Sequence, residues 1–313
     1  MSADSSSLGP LVSVIVPSFN MAKFLPATLD SILTQDYRPL EVVVVDGAST
    51  DGTVDLLRNY AEQHSELRWV SEPDDGPADA VNKGLSLIEG EIAAIQSADD
   101  IYYPGAIRSA VAGFDSHPAV AIVYGDAAII DADGVVQGTT HYLPYTLCRY
   151  LCGSTFISQS SSFFRPGLAR EVGGCRDRYF VFDIDLWLRM LFHAPAYKLP
   201  AVLSAYRRHE AQRDKATAEI LSSYQQMIRE SEAIAHASLR VRLAASAGTR
   251  MLIQHYNPTG DLRHQTSQLW RAILTYPPAI RALFLPRMLV PPPPTLRGVA
   301  RRLKRLIRHL QSR

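Results

Sequence analysis

Residues 12–16 (VSVIV), 40–45 (LEVVVV), 67–70 (LRWV) and 92–95 (IAAI) are short apolar runs of the kind that form strands buried on both faces of a sheet. Between them, residues 23–34, 53–64 and 78–88 carry apolar side chains at helical spacing. Phe24, Leu25, Leu29, Ile32 and Leu33 mark the first of these, and Val54, Leu56, Leu57 and Tyr60 the second. Each strand run stops in polar or turn-forming residues. Strand–helix alternation with short connections predicts an α/β protein built on a doubly wound, mostly parallel sheet flanked by helices. Loops at the strand ends of such a sheet share one rim. Asn20, Asp46, Asp51, Asp75, Asp99 and Asp100 are therefore expected to converge.

The rhythm changes after residue 119. Residues 121–124 predict a strand ending in Gly125-Asp126, and 135–140 its antiparallel partner beyond the Asp133-Gly134 turn. Residues 183–193 predict a helix with Trp187 and Arg189. Residues 217–256 read as one long helical stretch without proline, 291–294 as a stiff proline spacer and 295–313 as a last helix. The expected organisation is a main domain over 10–212, with halves of about 10–115 and 116–212. A helical extension over 213–290 and the spacer with its terminal helix over 291–313 follow.

Composition is that of an ordinary globular protein, 47% hydrophobic and 20% charged over 313 residues. The net charge of +1 hides an asymmetry. Eleven Lys/Arg and no Asp/Glu follow Asp261, which leaves about −10 for residues 1–261. Cys148, Cys152 and Cys175 match neither a zinc spacing nor a disulfide framework, so reduced thiols in a cytosolic protein are expected. The polar start, MSADSSSLGP, does not read as a signal peptide, and no run is long enough to cross a membrane. No nucleic-acid partner is expected.

The candidate chemistry centres on residues 91–104, EIAAIQSADDIYYP. Two adjacent carboxylates, Asp99 and Asp100, end a buried strand where open α/β sheets place their ligands. Their mutual repulsion is tolerable if a hard divalent cation lies between them and phosphate oxygens. The other reading is a solvated turn or a helix N-cap.

Five segments occur in fixed order: PSFN (17–20), VVDGASTDGT (44–53), EPDDGPADAVNKG (72–84), SADDIYYPGAI (97–107) and FDIDLWLRM (182–190). Together they resemble a family two nucleotide-sugar glycosyltransferase of the GT-A fold over roughly residues 12–210. The resemblance implies that fold with a helical C-terminal extension. It implies inverting transfer of a sugar from a nucleotide diphosphate sugar, commonly UDP-linked, to a hydroxyl of a glycan or lipid-linked acceptor. It also implies a divalent cation, Mn2+ or Mg2+.

Site residues follow from the same likeness. Pro17, Phe19 and Asn20 line the nucleoside end. Asp46 accepts from a base N–H, or else is a turn-former that bonds its own backbone. Asp75 and Gly76 lie beside the nucleotide. Lys83 meets a phosphate or is a solvated helix lysine. Asp99 and Asp100 occupy the metal motif, with Asp99 also on the nucleotide. Ser97 stands where the commoner motif has an acid, so diphosphate oxygens and water fill more of the cation's shell. His209, in Arg207-Arg208-His209, closes over the diphosphate, ligates the metal or is structural. Asp183 is the expected general base, with an N-cap as its other reading; Asp185 is the runner-up base. Asp126, Gln159 and Trp187 fall on the acceptor or sugar side, Trp187 with core packing as its alternative.

A nucleotidyltransferase would want a glycine-rich basic loop after the first strand, and Pro17-Ser18-Phe19-Asn20 is neither. A non-catalytic sugar-nucleotide-binding or scaffold protein stays open because of Ser97. In the tail, Leu296, Val299, Leu303, Leu306, Ile307 and Leu310 form one apolar stripe on a basic helix. That pattern suits an anionic membrane surface, with 280–290 as a helper, or burial of the stripe on the acidic body. A cytoplasmic protein held peripherally on the inner face of a membrane is expected.

Overall fold

The computed structural model describes residues 9–210, 212, 216–256 and, singly, 272, 275, 276 and 278. The expected proline spacer, the basic terminal helix and its helper segment lie outside these residues. Two compact units divide the chain: residues 1–139 with 157–211, and 140–156 with 212–313.

The first unit runs β1 (Val12–Ser18), α1 (Leu25–Leu33), β2 (Leu40–Asp46), α2 (Thr53–Gln63), β3 (Leu67–Ser71), α3 (Pro77–Leu87), β4 (Ile92–Ile95), β5 (Ile101–Tyr102) and α4 (Ala106–Ser116). It continues with β6 (Ile122–Ile130) and β7 (Val136–Thr139). After the excursion of 140–156, which holds α5 (Leu147–Leu151), come β8 (Ser162–Phe164), α6 (Pro166–Glu171), α7 (Phe182–Leu191) and β9 (Ala196–Arg207). The described strands form one sheet in the order β3-β2-β1-β4-β8-β6-β9-β5, with β7 on β6. β3, β2, β1 and β4 are parallel, as the unbroken apolar runs require. Val14, Val42, Val44, Ile92 and Ala94 are buried in one core with Leu25, Leu29 and Ile32 of α1. Each of the Val, Leu and Ile side chains contributes about 1.5–3 kcal/mol by leaving water.

The topology fixes where a ligand goes. From β1 the chain builds β2 and β3 outward on one side, then returns to lay β4 on the other side of β1. The loops after β1 and β4 therefore part company at adjacent strand ends, which opens a crevice at the C-terminal rim.

Three boundaries depart from the sequence pattern. β1 runs through Pro17 to Ser18, because its pairing with β4 ends at Ile15 and a proline is tolerated where one ladder is already open. β6 does not stop at Gly125-Asp126; its pairing with β9 shifts register there and the strand continues to Ile130. In the second unit the expected long helix is three: α8 (Thr217–Glu230), α9 (Glu232–Ala235) and α10 (Leu239–Tyr256). Ser231 caps α9 through its hydroxyl, which accepts the Ile234 N–H, and the Ser238 carbonyl accepts the first N–H groups of α10. Serine favours such caps over helix interiors.

Candidate active site

The loop after β1 exposes Phe19, 57% of whose surface is open to solvent. Asn20 takes a left-handed conformation, φ 53°, which asparagine tolerates better than most residues. Its N–H donates to Ser49 Oγ at 2.7 Å and its Oδ1 accepts the Thr50 N–H at 3.0 Å. The loop after β2 is thereby stitched to the loop after β1. Asp46 organises it from beneath. The fully buried carboxylate accepts the Ser49 N–H (2.9 Å), the Ser49 hydroxyl (2.5 Å) and the Ser71 hydroxyl (2.7 Å). With no exposed surface, Asp46 shapes the nucleotide loop through Ser49 in this structure.

Gly76 begins α3 at φ 110°, outside the range that side-chain-bearing residues adopt easily, with exposed Asp75 before it. Lys83 holds this turn together. Its ammonium reaches Pro73 O (3.0 Å), Glu72 (3.0 Å) and Asp79 (3.3 Å). An ammonium has three protons, and these partners use them, so Lys83 is not presented to a phosphate here.

The loop after β4 carries Asp99 and Asp100. Asp99 Oδ2 lies 2.9 Å from His209 Nε2, and both side chains are about nine-tenths buried. His209 in turn packs tilted against Phe24, ring centres 4.8 Å apart, and the Arg207 guanidinium lies over the same Phe24 ring at 5.2 Å. Arg207 also ties the loop down: its backbone N–H donates to Asp100 Oδ1 (2.8 Å) and its Nε to Asp99 O (2.8 Å). Asp100 is fully buried and anchors the end of β9. Gln159 reaches Ser97 Oγ from a short 3-10 turn (Gln159–Ser161) at 3.2 Å.

On the acceptor side, Asp183 and Asp185 both fall in the first turn of α7, where helix dipoles favour negative charge. Asp183 is half-buried. Asp126 is buried on β6 in an ion pair with Lys198 Nζ at 3.0 Å, and its carbonyl accepts the Ser161 hydroxyl.

The model of glycosyl transferase family 2 matches residues 13–172. This chain belongs to that family. A PGL/p-HBAD biosynthesis glycosyltransferase of Mycobacterium tuberculosis is 32% identical over 203 residues, 63% of this chain and 73% of the relative. An uncharacterized glycosyltransferase of Rickettsia typhi is 27% identical over 233 residues, 70% and 71% of the two chains. Among solved structures, S. aureus TarS 1-349 in complex with UDP-GlcNAc superposes with a TM-score of 0.67 at 20% identity, over 87% of this chain and 81% of that one. The mannosyltransferase PcManGT from Pyrobaculum calidifontis, in complex with GDP-Man and Mn2+, gives 0.58 at 24% identity, over 87% and 82%. These likenesses establish the GT-A fold, and family membership makes the chain a transferase enzyme rather than a scaffold.

Two of the expected site residues are buried in packing and ion-pair contacts. Trp187 has no exposed surface and packs against Phe164, ring centres 5.1 Å apart; it is core, as its alternative reading had it. Asp185, only 3% exposed, is gripped by Arg189 through Nε (2.9 Å) and Nη2 (2.7 Å), with Arg176 at 3.9 Å. Conversely, the pattern of residue types passed over Phe24 and Ser49. Phe24 reads as one more apolar position of α1, and Ser49 as a loop serine. Only the basic cluster at 207–209 hinted at what rests on Phe24.

Proposed function

We propose that this enzyme transfers a sugar, with inversion, from a nucleotide diphosphate sugar to a hydroxyl of a glycan or lipid-linked acceptor, with a UDP sugar as the favoured donor. The observation that carries the reading is the Asp99–His209 pair at the switch point of the sheet, with the exposed Phe19 ring on the loop across the crevice. The nucleotide sugars named with the TarS and PcManGT structures support the donor class.

In this reading Phe19 and the stitched 46–51 loop hold the nucleoside. Arg208 contributes a guanidinium whose buried Nε and Nη2 have no protein partner, and a diphosphate is the anion that complements it. Asp99 Oδ2 and His209 Nε2 already lie together and suit a cation that accepts both oxygen and imidazole. Among the described residues no three His, Cys, Asp or Glu side chains form a cation cage, so diphosphate oxygens and water complete the shell. A divalent cation held by Asp99 and His209 would supply positive charge to offset that of the departing diphosphate. Asp183 takes the proton from the acceptor hydroxyl. That oxygen bonds to the anomeric carbon from the face opposite the leaving group, and the C–O bond to the diphosphate breaks with its electron pair staying on the nucleotide.

A peripheral position on the inner face of a membrane is part of the same reading. It rests on the apolar stripe and the surrounding basic residues expected of 295–313. No helix among the described residues is long and apolar enough to cross a membrane. The functional test is hydrolysis of UDP-GlcNAc, UDP-glucose, UDP-galactose and GDP-mannose with Mn2+ or with chelator. Metal-dependent turnover of one UDP sugar is the expected result; turnover of GDP-mannose alone overturns the donor, and metal-independent turnover overturns the cation.

A further inference from the structure

Asn82 makes a contact that the reaction outlined above leaves unused. It lies on α3, whose first turn follows Asp75 and Gly76. Its Nδ2 donates to the Cys175 carbonyl at 2.8 Å, and its Oδ1 accepts the Cys175 N–H at 2.7 Å. One side chain thus satisfies both backbone groups of a residue 93 positions away, as a neighbouring strand would. The fit is close: Gly174 sits at φ 64°, and a Cβ there would lie 2.5 Å from Asn82 Oδ1. Only glycine meets both demands.

The same short segment is held from the other side. Arg189 of α7 donates to the carbonyls of Val172 and Gly174 while it grips Asp185. Residues 172–175 are therefore clamped between α3 and the helix that carries Asp183. The loop from Cys175 leads directly into that helix. The two are electrostatically close as well: burial pushes the Cys175 thiol up to about 12, and the Asp183 charge adds to the rise.

We propose that Asn82 is a positioning residue for Asp183, fixing the base relative to the donor-side helix. The inference rests on the reading of Asp183 as the general base. A donor bound beside Asp75 and Gly76 and a base on α7 then keep a set separation, because both are referred to α3. Positioning of this kind matters steeply, since a displacement of about 1 Å can cost about 100-fold in rate.

The test uses the full chain and the donor of the four-sugar panel that it hydrolyses fastest, with water as acceptor. Asn82→Ala removes both hydrogen bonds. Asn82→Asp keeps the acceptor but turns an oxygen toward the Cys175 carbonyl, and it preserves volume should Asn82→Ala not fold. We expect kcat to fall about 10–100-fold with KM and UDP affinity within about twofold of the parent and a cooperative melt retained. In the pair Asn82→Ala/Asp183→Asn the first change should add no further loss, because a group that acts through Asp183 has nothing left to position. A folded Asn82 variant with near-parental kcat overturns the inference, as does a full additive loss in the double variant. An Asp183→Asn enzyme that hydrolyses normally overturns the base reading itself, which separates the two failures.

Discussion

Asp183 and Asp185 stand two residues apart in the first turn of one helix, and their surroundings differ. Asp185 is enclosed by arginines; Asp183 is half-buried and precedes the core-facing Leu186 and Trp187. Asp183→Asn keeps size and hydrogen bonding but cannot take a proton, so we expect transfer to fall about 10²–10⁴-fold with UDP affinity retained. Asp185→Asn should instead cost about 3–5 kcal/mol of stability, read in chemical denaturation, because Arg189 is left buried without its counter-charge. Loss of transfer in a stable Asp185→Asn enzyme would reverse the assignment. The FDIDLWLRM segment made the two acids visible in sequence, and only the resemblance ranked Asp183 ahead of Asp185. The i, i+4 spacing of Asp185 and Arg189 was the local signal; its strength depended on burial, which is set by the rest of the fold. Lys83 is a similar case, since its partner Glu72 becomes a neighbour only once the 72–79 turn is closed.

At the scale of elements, the parallel half of the sheet was legible because strands buried on both faces leave unbroken apolar runs. The antiparallel insertion was not. β8 contributes only Ser162–Phe164, yet it joins β4 to β6, and three residues carry no periodicity. The opposite rim of the sheet holds a network that no apolar pattern announces. Glu41 on β2, nearly buried, accepts from the Ser13 hydroxyl (2.5 Å), the Glu89 N–H (2.6 Å) and Arg68 (2.6 Å). Burial alone would raise its carboxyl, but the hydrogen bonds from Ser13, Glu89 N–H and Arg68 outweigh it and hold the group below the ordinary carboxylate value. A depressed folded value means that stability from Glu41 is present above about pH 4.3 and is lost as pH falls through the folded value. Urea denaturation across this range should show a shallower acid loss in Glu41→Gln than in the parent, and equal slopes would contradict the network's role.

For the whole molecule, the charge asymmetry is the feature to account for. Residues 1–261 are acidic and the remainder is basic, with a terminal stripe that suits an anionic lipid surface. Full-length protein should sediment with anionic vesicles in a salt-sensitive manner, and a chain ending near Pro291 should not; indifference of the full-length protein to anionic and neutral vesicles would remove the membrane from the account. The central claim is that Asp99 and His209 grip a nucleoside diphosphate through a divalent cation. Calorimetric titration of UDP into the parent and Asp99→Ala, each with Mn2+ and with chelator, tests it most directly. The account predicts affinity at least about tenfold higher with Mn2+ in the parent, a gain of about 1.4 kcal/mol, and no metal dependence in Asp99→Ala. Equal UDP affinity of the parent with Mn2+ and with chelator would contradict it.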